Sequence, residues 1–172
     1  ARRRAQGCVI RVSDPKTTPP LILDPCCGAR MFYFDHENPQ VLFCDIREDF
    51  AKTLCDGRSF EVKPDMAADV TELPFDAGTF PLVVFDPPHL LRGNGWMVDK
   101  YGKLPKDWRE WMTRAFSECW RVLRPAGTLV FKWNECHVAL SEILKCAPAK
   151  PVCGNRKPTN SKTHWLLFFK PE

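Results

Sequence analysis

Several features that would assign this chain of 172 residues to a common protein class are missing from it. It has no apolar run of the ~18 residues that a membrane-spanning helix needs, and no signal-like run follows its basic first residues. It also has no internal repeat and no low-complexity tract. We therefore expect a soluble cytoplasmic protein without a membrane partner, folded as one domain over 1–172, with 1–19 as an N-terminal extension.

The nine cysteines lack the spacing of a disulfide scaffold or a zinc site, since there is no CxxC pair. Their number is odd, and a chain of this size can build a core without disulfide bonds. We expect reduced, buried thiols and no metal. The alternative is a nucleic-acid-binding protein with structural zinc, whose ligands would come from Cys26, Cys27, Cys44, Cys55, Cys146, Cys153, His36 and His164.

Acidic residues are absent from 143–171, although the whole chain carries a net charge of only +4. A solvated basic face is the ordinary explanation of such a segment. Attraction to a phosphate backbone is the other, and amide and aromatic side chains in the same segment favour it. Lys157, Lys162 and His164 are the candidate substrate-binding residues here.

Four short apolar runs, at 21–23, 41–44, 82–85 and 128–133, alternate with helical patterns. This alternation predicts an α/β fold, with a mostly parallel sheet and helices on both faces. Asp24, Asp45 and Asp86 directly follow the first three runs. Because ligands of parallel sheets bind at the C-terminal ends of the strands, we expect these acids to meet at one edge.

The remaining elements are predicted from periodicity and composition. Apolar residues recur at three- and four-residue steps from Asp107 to Leu123, which predicts a helix with a wide buried stripe. A short helix is predicted at 29–34 and a last, antiparallel strand at 165–169. The polar segment 90–106 is too long for a tight connection and is predicted to be a substrate lid.

The run Asp86, Pro87, Pro88 and His89 is the strongest candidate for a catalytic site. Proline fixes φ and has no N–H, so the carbonyls of Asp86 and Pro87 stay in place. A carboxylate and a fixed carbonyl can accept both hydrogens of a planar amino group, while His89 can stack on the ring that carries it. An ordinary turn at a strand end is the alternative.

The loop 24–28 after the first strand is made of small residues, so a ligand can approach its backbone at Gly28. It has only one glycine of the dinucleotide-binding fingerprint, which argues against a pyrophosphate. Asp45, at the end of the second strand, is placed where an acid binds ribose hydroxyls. Lys132 and Asn134, at the end of the fourth strand, are candidate substrate contacts, or simply a strand end that turns polar.

Together these features resemble the class I S-adenosylmethionine-dependent methyltransferases that methylate amino groups. Residues 24–28 look like motif I, 86–89 look like the (Asp/Asn)-Pro-Pro-(aromatic) motif, and 121–127 resemble a helix-to-strand junction common in this class. The resemblance covers roughly 21–133, is closest to small enzymes of bacteria, phages and mobile elements, and implies a Rossmann-like fold. It also implies that S-adenosylmethionine is bound by Asp24, Pro25, Cys26, Gly28, Asp45 and Asp69, the last contacting adenine.

The resemblance implies direct methyl transfer to nitrogen, without Cys26 or Cys27 as a nucleophile. It favours an amino group of a base in RNA or DNA, adenine N6 before cytosine N4, and protein glutamine is the alternative acceptor. Because a chain of this length has little room for a target-recognition domain, sequence-specific methylation of duplex DNA by the chain alone is not expected. Structured RNA, single strands or a partner that supplies specificity fit better. His89 stands where Tyr, Phe or Trp is commoner, and its protonation is expected to make activity depend on pH.

Overall fold

The computed structural model describes residues 20–53, 57–155 and 161–172. Predictions for 1–19, Cys55 and Lys157 lie outside these residues. The described strands are β1 (Ile22–Asp24), β2 (Val41–Asp45), β3 (Phe50–Thr53), β4 (Ser59–Val62), β5 (Met66–Ala67), β6 (Phe80–Phe85), β7 (Leu123–Asn134), β8 (Cys153–Gly154) and β9 (Thr163–Phe169). The described helices are α1 (Trp96–Tyr101), α2 (Trp108–Val122) and α3 (Leu140–Ile143), which continues into a 3-10 turn at Leu144–Cys146.

Seven strands form one sheet in the order β5-β2-β1-β6-β7-β9-β8, and β3 and β4 form a separate hairpin. The strands from β5 to β7 in this order run parallel to their neighbours. β9 runs antiparallel to both β7 and β8. The predicted α/β fold, with a mostly parallel sheet and an antiparallel C-terminal strand, is confirmed.

The main core lies between the sheet and α2. The Phe116 ring of α2 is 0% exposed, and its centroid lies 5.2 Å from that of Phe85 on β6 and 4.9 Å from that of Phe131 on β7. The predicted helix is therefore confirmed to within a residue, and its apolar stripe is buried as expected. Asp107 stands at the N-cap position, although its side chain accepts no capping hydrogen bond.

The opposite side of β1 and β2 is covered by turns, and no described residue of 25–40 is helical. Ile22 and Phe43 point to this side, where Cys27 and Tyr33 pack on them. The short helix predicted at 29–34 is therefore wrong. Arg30 has a positive φ of 55° and donates hydrogen bonds to the carbonyls of His36 and Lys63 and to Asp65, which hold the chain in turns.

The seven cysteines in the described ranges are free thiols. Most are buried or half-buried, but Cys153 is exposed, so the prediction of burial is wrong for this residue. None of the described helices is long and apolar enough to span a bilayer.

Candidate active site

A cavity of about 320 Å³ opens where β1, β2, β5 and β6 end, a volume typical of small-molecule sites. Five segments line most of it: 25–29, 45–47, 68–70, 86–89 and 100–103. The loop after β1, the acid that ends β2 and the Asp-Pro-Pro-His run thus face one space. Of the residues predicted to bind a cofactor, Pro25, Cys26, Gly28, Asp45 and Asp69 line the cavity.

Asp24 lies beneath the cavity and does not line it. Its side chain is fully buried, accepts the Cys26 N–H at 3.1 Å and accepts the Tyr33 hydroxyl at 3.0 Å. Burial, with smaller contributions from the charges of Asp86 and Asp45, raises the pKa of this carboxyl to about 8. In the structure, Asp24 holds the loop that lines the cavity and makes no direct contact with its interior.

Asp45 is held by Arg47, a residue that the sequence did not single out. Nε of Arg47 donates to Oδ1 of Asp45 at 2.8 Å, and Nη2 donates to Oδ2 at 2.9 Å. The Gly28 N–H also donates to Oδ2, at 3.0 Å. Nη1 of Arg47 reaches the carbonyl of Asp99 in α1 at 2.9 Å. A ligand hydroxyl at Asp45 must therefore share this carboxylate with Arg47 or replace it.

The part of the cavity near Asp69 combines polar and apolar groups. The backbone N–H and the hydroxyl of Thr71 both donate to Oδ1 of Asp69 at 2.8 Å, which fixes the carboxylate. Ile46, 69% exposed, and the buried Val70 also line the cavity. Such a mixture of a fixed acceptor and apolar surface suits a flat heterocycle with polar edges.

The Asp-Pro-Pro-His run follows β6 directly. Nζ of Lys132 donates to Oδ2 of Asp86 at 2.5 Å, and no other described residue donates to this carboxylate. Burial raises the pKa of Asp86, and the charge of Lys132 opposes that shift. Pro87 is buried, and no donor among the described residues reaches its carbonyl oxygen. One carboxylate oxygen and one carbonyl therefore remain as acceptors.

His89 is surrounded by aromatic rings. Its ring centroid lies 5.3 Å from that of Tyr101 and 6.4 Å from that of Trp133. Burial, together with the charges of Lys132 and His137, lowers its pKa to about 4. The imidazole is thus neutral near pH 7, so the pH dependence that the residue type predicts is not expected from its environment.

Of the predicted substrate contacts, Lys132 lines the cavity, whereas Asn134, Lys162 and His164 lie near this edge of the sheet without lining it. Asn134 donates to the Thr163 hydroxyl at 3.2 Å. His164 is buried, with Nε2 3.4 Å from a carboxylate oxygen of Glu135, at ion-pair distance but without hydrogen-bond geometry. The Lys162 carbonyl accepts the Glu135 N–H at 2.9 Å. These contacts connect the start of β9 to the end of β7.

The segment 90–106 forms part of the cavity wall. The Leu104 N–H donates to the Leu90 carbonyl at 2.8 Å, which closes the segment at its base. Gly102 has a φ of +71°, which other residues rarely adopt, and a Cβ there would lie 3.0 Å from Pro88, so a larger residue would be strained and would press on the Asp-Pro-Pro-His run. Lys100 and Lys103 also line the cavity. In the sequence, only the length and polarity of 90–106 indicated that this segment lies at the site.

Nothing in the described ranges brings together three His, Cys, Asp or Glu side chains that could hold a metal ion, so the zinc alternative gains no support. The cysteines of the loop are also unsuited to nucleophilic attack. Burial raises the pKa of both the Cys26 and the Cys27 thiols, which disfavours the thiolate form.

No protein-family model and no curated protein sequence matches the chain. Solved structures do resemble it. The PH0226 protein of Pyrococcus horikoshii OT3 is 13% identical, with a TM-score of 0.58, over 88% of this chain and 81% of that one. A SAM-dependent methyltransferase of Methanosarcina mazei is 12% identical, with a TM-score of 0.53, over 87% and 92%. A TehB-like SAM-dependent methyltransferase of Corynebacterium glutamicum is 16% identical, with a TM-score of 0.52, over 90% and 83%. The chain therefore has the fold of the class I S-adenosylmethionine-dependent methyltransferases.

Proposed function

We propose that this chain is an S-adenosylmethionine-dependent N-methyltransferase that acts on an exocyclic amino group of a nucleic-acid base, adenine N6 before cytosine N4. One observation carries the proposal: the Asp-Pro-Pro-His run and the residues expected to bind the cofactor line the same cavity. A fold of this kind hosts many substrates, so the proposal depends on the residues of the site.

The cavity suits an adenosine-containing cofactor. Asp45 offers a carboxylate to ribose hydroxyls, Asp69 and Ile46 offer an acceptor and an apolar surface to the base, and Gly28 allows a close approach to the backbone. When bound, S-adenosylmethionine would supply a methyl group attached to a sulfonium.

The Asp-Pro-Pro-His run suits an acceptor with two amino hydrogens. Oδ1 of Asp86 and the carbonyl of Pro87 receive no hydrogen bond from the described residues, so both can accept from an amino group. His89, neutral and in aromatic surroundings, offers a flat surface to the ring. Holding the amine in one orientation is then the main catalytic contribution of these residues, and no covalent enzyme intermediate is needed.

A nucleic acid is favoured by the charges around the cavity. Lys100 and Lys103 line it, and no carboxylate among the described residues pairs with either ammonium group. The acid-free segment 143–171 adds positive charge. Because a base inside a duplex is out of reach, the target must be flipped out or presented in a single strand. Structured RNA, single strands or a specificity partner fit these requirements.

The test measures transfer of labelled methyl groups to rRNA, tRNA, plasmid DNA and a protein extract in parallel. The variants are Asp86→Ala and, as a control, Asp76→Ala, which removes an exposed acid outside the cavity. We expect label in nucleic acid from the wild type and the control, and none from Asp86→Ala. Label in protein alone would overturn the proposal that the substrate is a nucleic acid. Calorimetry that detects no binding of S-adenosylmethionine would overturn the proposal that the chain is a methyltransferase.

A further inference from the structure

One basic side chain reaches the Asp-Pro-Pro-His run from the neighbouring strand. Nζ of Lys132 lies 2.5 Å from Oδ2 of Asp86, and the two side chains are only 24% and 22% exposed. The same nitrogen lies 5.0 Å from the ring centroid of Phe32 and 5.7 Å from that of Trp165. One carboxylate and two aromatic rings therefore hold this ammonium group.

The sheet itself fixes the pair. β6 and β7 are parallel neighbours in which Phe85 is paired with Phe131, so the next residue along each strand brings Asp86 beside Lys132. On the other side, Lys132 is the cross-strand partner of Trp165 on β9. Since backbone pairing on both sides sets the position of Lys132, the ion pair is better fixed than one between long side chains on a surface.

We propose that Lys132 is a positioning residue that keeps Asp86 ionised with Oδ1 open to the acceptor, and that the Asp86–Lys132 pair restricts acceptors to uncharged amino groups. The first part depends only on the geometry of the pair. The second rests on the proposed function, because it assumes that the acceptor amine binds at Asp86.

The charge balance around Asp86 supports the first part. Three other titratable groups act on this region from β1 and the segment that follows it, namely Asp24, Cys26 and Tyr33. Burial raises the pKa of all three, so each is mainly protonated near neutral pH and carries no charge. With His89 neutral as well, the charge that balances Asp86 is that of Lys132.

The same balance supports the second part. A half-buried carboxylate alone would attract an ammonium ion, such as the protonated amine of a lysine side chain. The Asp86–Lys132 pair has no net charge, so it does not attract a cation, and a cationic acceptor would lie close to the Lys132 ammonium group. A base amino group is uncharged near neutral pH and needs only acceptors, which Oδ1 of Asp86 and the Pro87 carbonyl provide.

The first experiment titrates the aspartate carboxyl carbons by 13C NMR in labelled protein, with Asp86→Asn to assign the signal. Lys132→Met should raise the midpoint of Asp86 by about 1–3 pH units, because it removes the neighbouring positive charge. Lys132→Arg should restore it. The control Lys103→Met, which removes another lysine of the cavity wall, should leave it unchanged. An Asp86 midpoint that Lys132→Met does not move would overturn the positioning role, whether or not the protein is a methyltransferase.

The second experiment compares the binding of two probes by calorimetry at a pH that lies above the Asp86 midpoints measured in both proteins and below about 9, so that this carboxylate is ionised in each. 9-Methyladenine carries an uncharged planar amino group, and benzylamine is an ammonium ion at this pH. We expect the wild type to prefer 9-methyladenine and Lys132→Met to shift the ratio of dissociation constants about tenfold or more towards benzylamine. An unchanged ratio would overturn the selectivity. Failure of the wild type to bind 9-methyladenine would overturn the proposed acceptor, while the NMR titration would still decide the role of Lys132.

Discussion

Asp24→Asn tests the arrangement of charge beneath the cavity. The Asp24 carboxyl is fully buried, accepts hydrogen bonds from the Cys26 N–H and the Tyr33 hydroxyl, and has a pKa that burial raises to about 8. Asparagine has nearly the same shape, keeps an oxygen for the Cys26 N–H and cannot ionise. The variant therefore resembles the protonated side chain at every pH.

The sign and size of the effect follow from the two pKa values. The ordinary value of 3.8 applies to the unfolded chain and a value of about 8 to the folded protein, so between them the folded protein keeps a proton that the unfolded chain has released. The stability that protonated Asp24 contributes is complete below the lower value and is lost as the pH rises through the upper one. At ~1.36 kcal/mol per pH unit, the gap between the two pKa values limits this contribution to about 6 kcal/mol. We expect the wild type to lose about 2–6 kcal/mol of it as the pH rises through the upper value.

The assay is urea unfolding of both proteins at several pH values between about 4.5 and 8.5. The quantity of interest is the difference between their free energies of unfolding, because contributions from Asp86 and His89 cancel in it. We expect the variant to gain stability relative to the wild type as the pH rises. A difference that stays constant across this range would refute the assignment of Asp24 as a buried, protonated carboxyl.

Three other predictions concern His89, the cysteines and the core. The imidazole 15N shifts of His89 should titrate near pH 4, because burial lowers its pKa. The stability that the neutral imidazole contributes is then lost as the pH falls from about 6.5 through 4. A midpoint above about 6 would contradict the buried environment. Iodoacetamide near pH 7.5 should alkylate the exposed Cys153 about ten times faster than the buried Cys119, whose pKa burial raises, and equal rates by mass spectrometry would contradict this. Phe116→Ala should lower the free energy of unfolding by about 3–5 kcal/mol in urea, because the ring is completely buried, and a loss under about 1 kcal/mol would mean that the site collapses around the deletion.

The sequence predicted the strands that are buried in the middle of the sheet. β1, β2, β6 and β7 read as short apolar runs because parallel strands in the interior pack on both faces. The β3–β4 hairpin was not predicted, since β3 is largely exposed and shows no such run. The helix predicted at 29–34 failed because propensity carries no information about the hydrogen bonds that the Arg30 side chain makes to the backbone at His36 and Lys63.

The candidate site was predictable where its residues directly follow strands. The Asp-Pro-Pro-His run and the loop 24–28 fall in this class. Contacts between residues far apart in sequence were not predictable, because nothing local signals them. Lys132 was predicted as a substrate contact, but its pairing with Asp86, 46 positions away, was not. Arg47 was not singled out, although it lies two positions from Asp45, and its hydrogen bond to Asp99 spans 52 positions. Tyr33 lies nine positions from Asp24 and donates a hydrogen bond to it, across a segment in which the predicted helix does not form.

The acids at the ends of β1, β2 and β6 explain why the partners of these carboxylates matter. Carboxylates close enough to shift one another's pKa would repel if all were ionised and unpaired. The fold relieves that repulsion differently at each strand end. Asp24 keeps its proton because it is buried, Asp45 is held through both oxygens by Arg47, and Asp86 is paired with Lys132. The edge is thereby left with directed acceptors and little net negative charge, so it favours ligands by the placement of their hydrogen-bond donors more than by their charge, as uncharged amino and hydroxyl groups require.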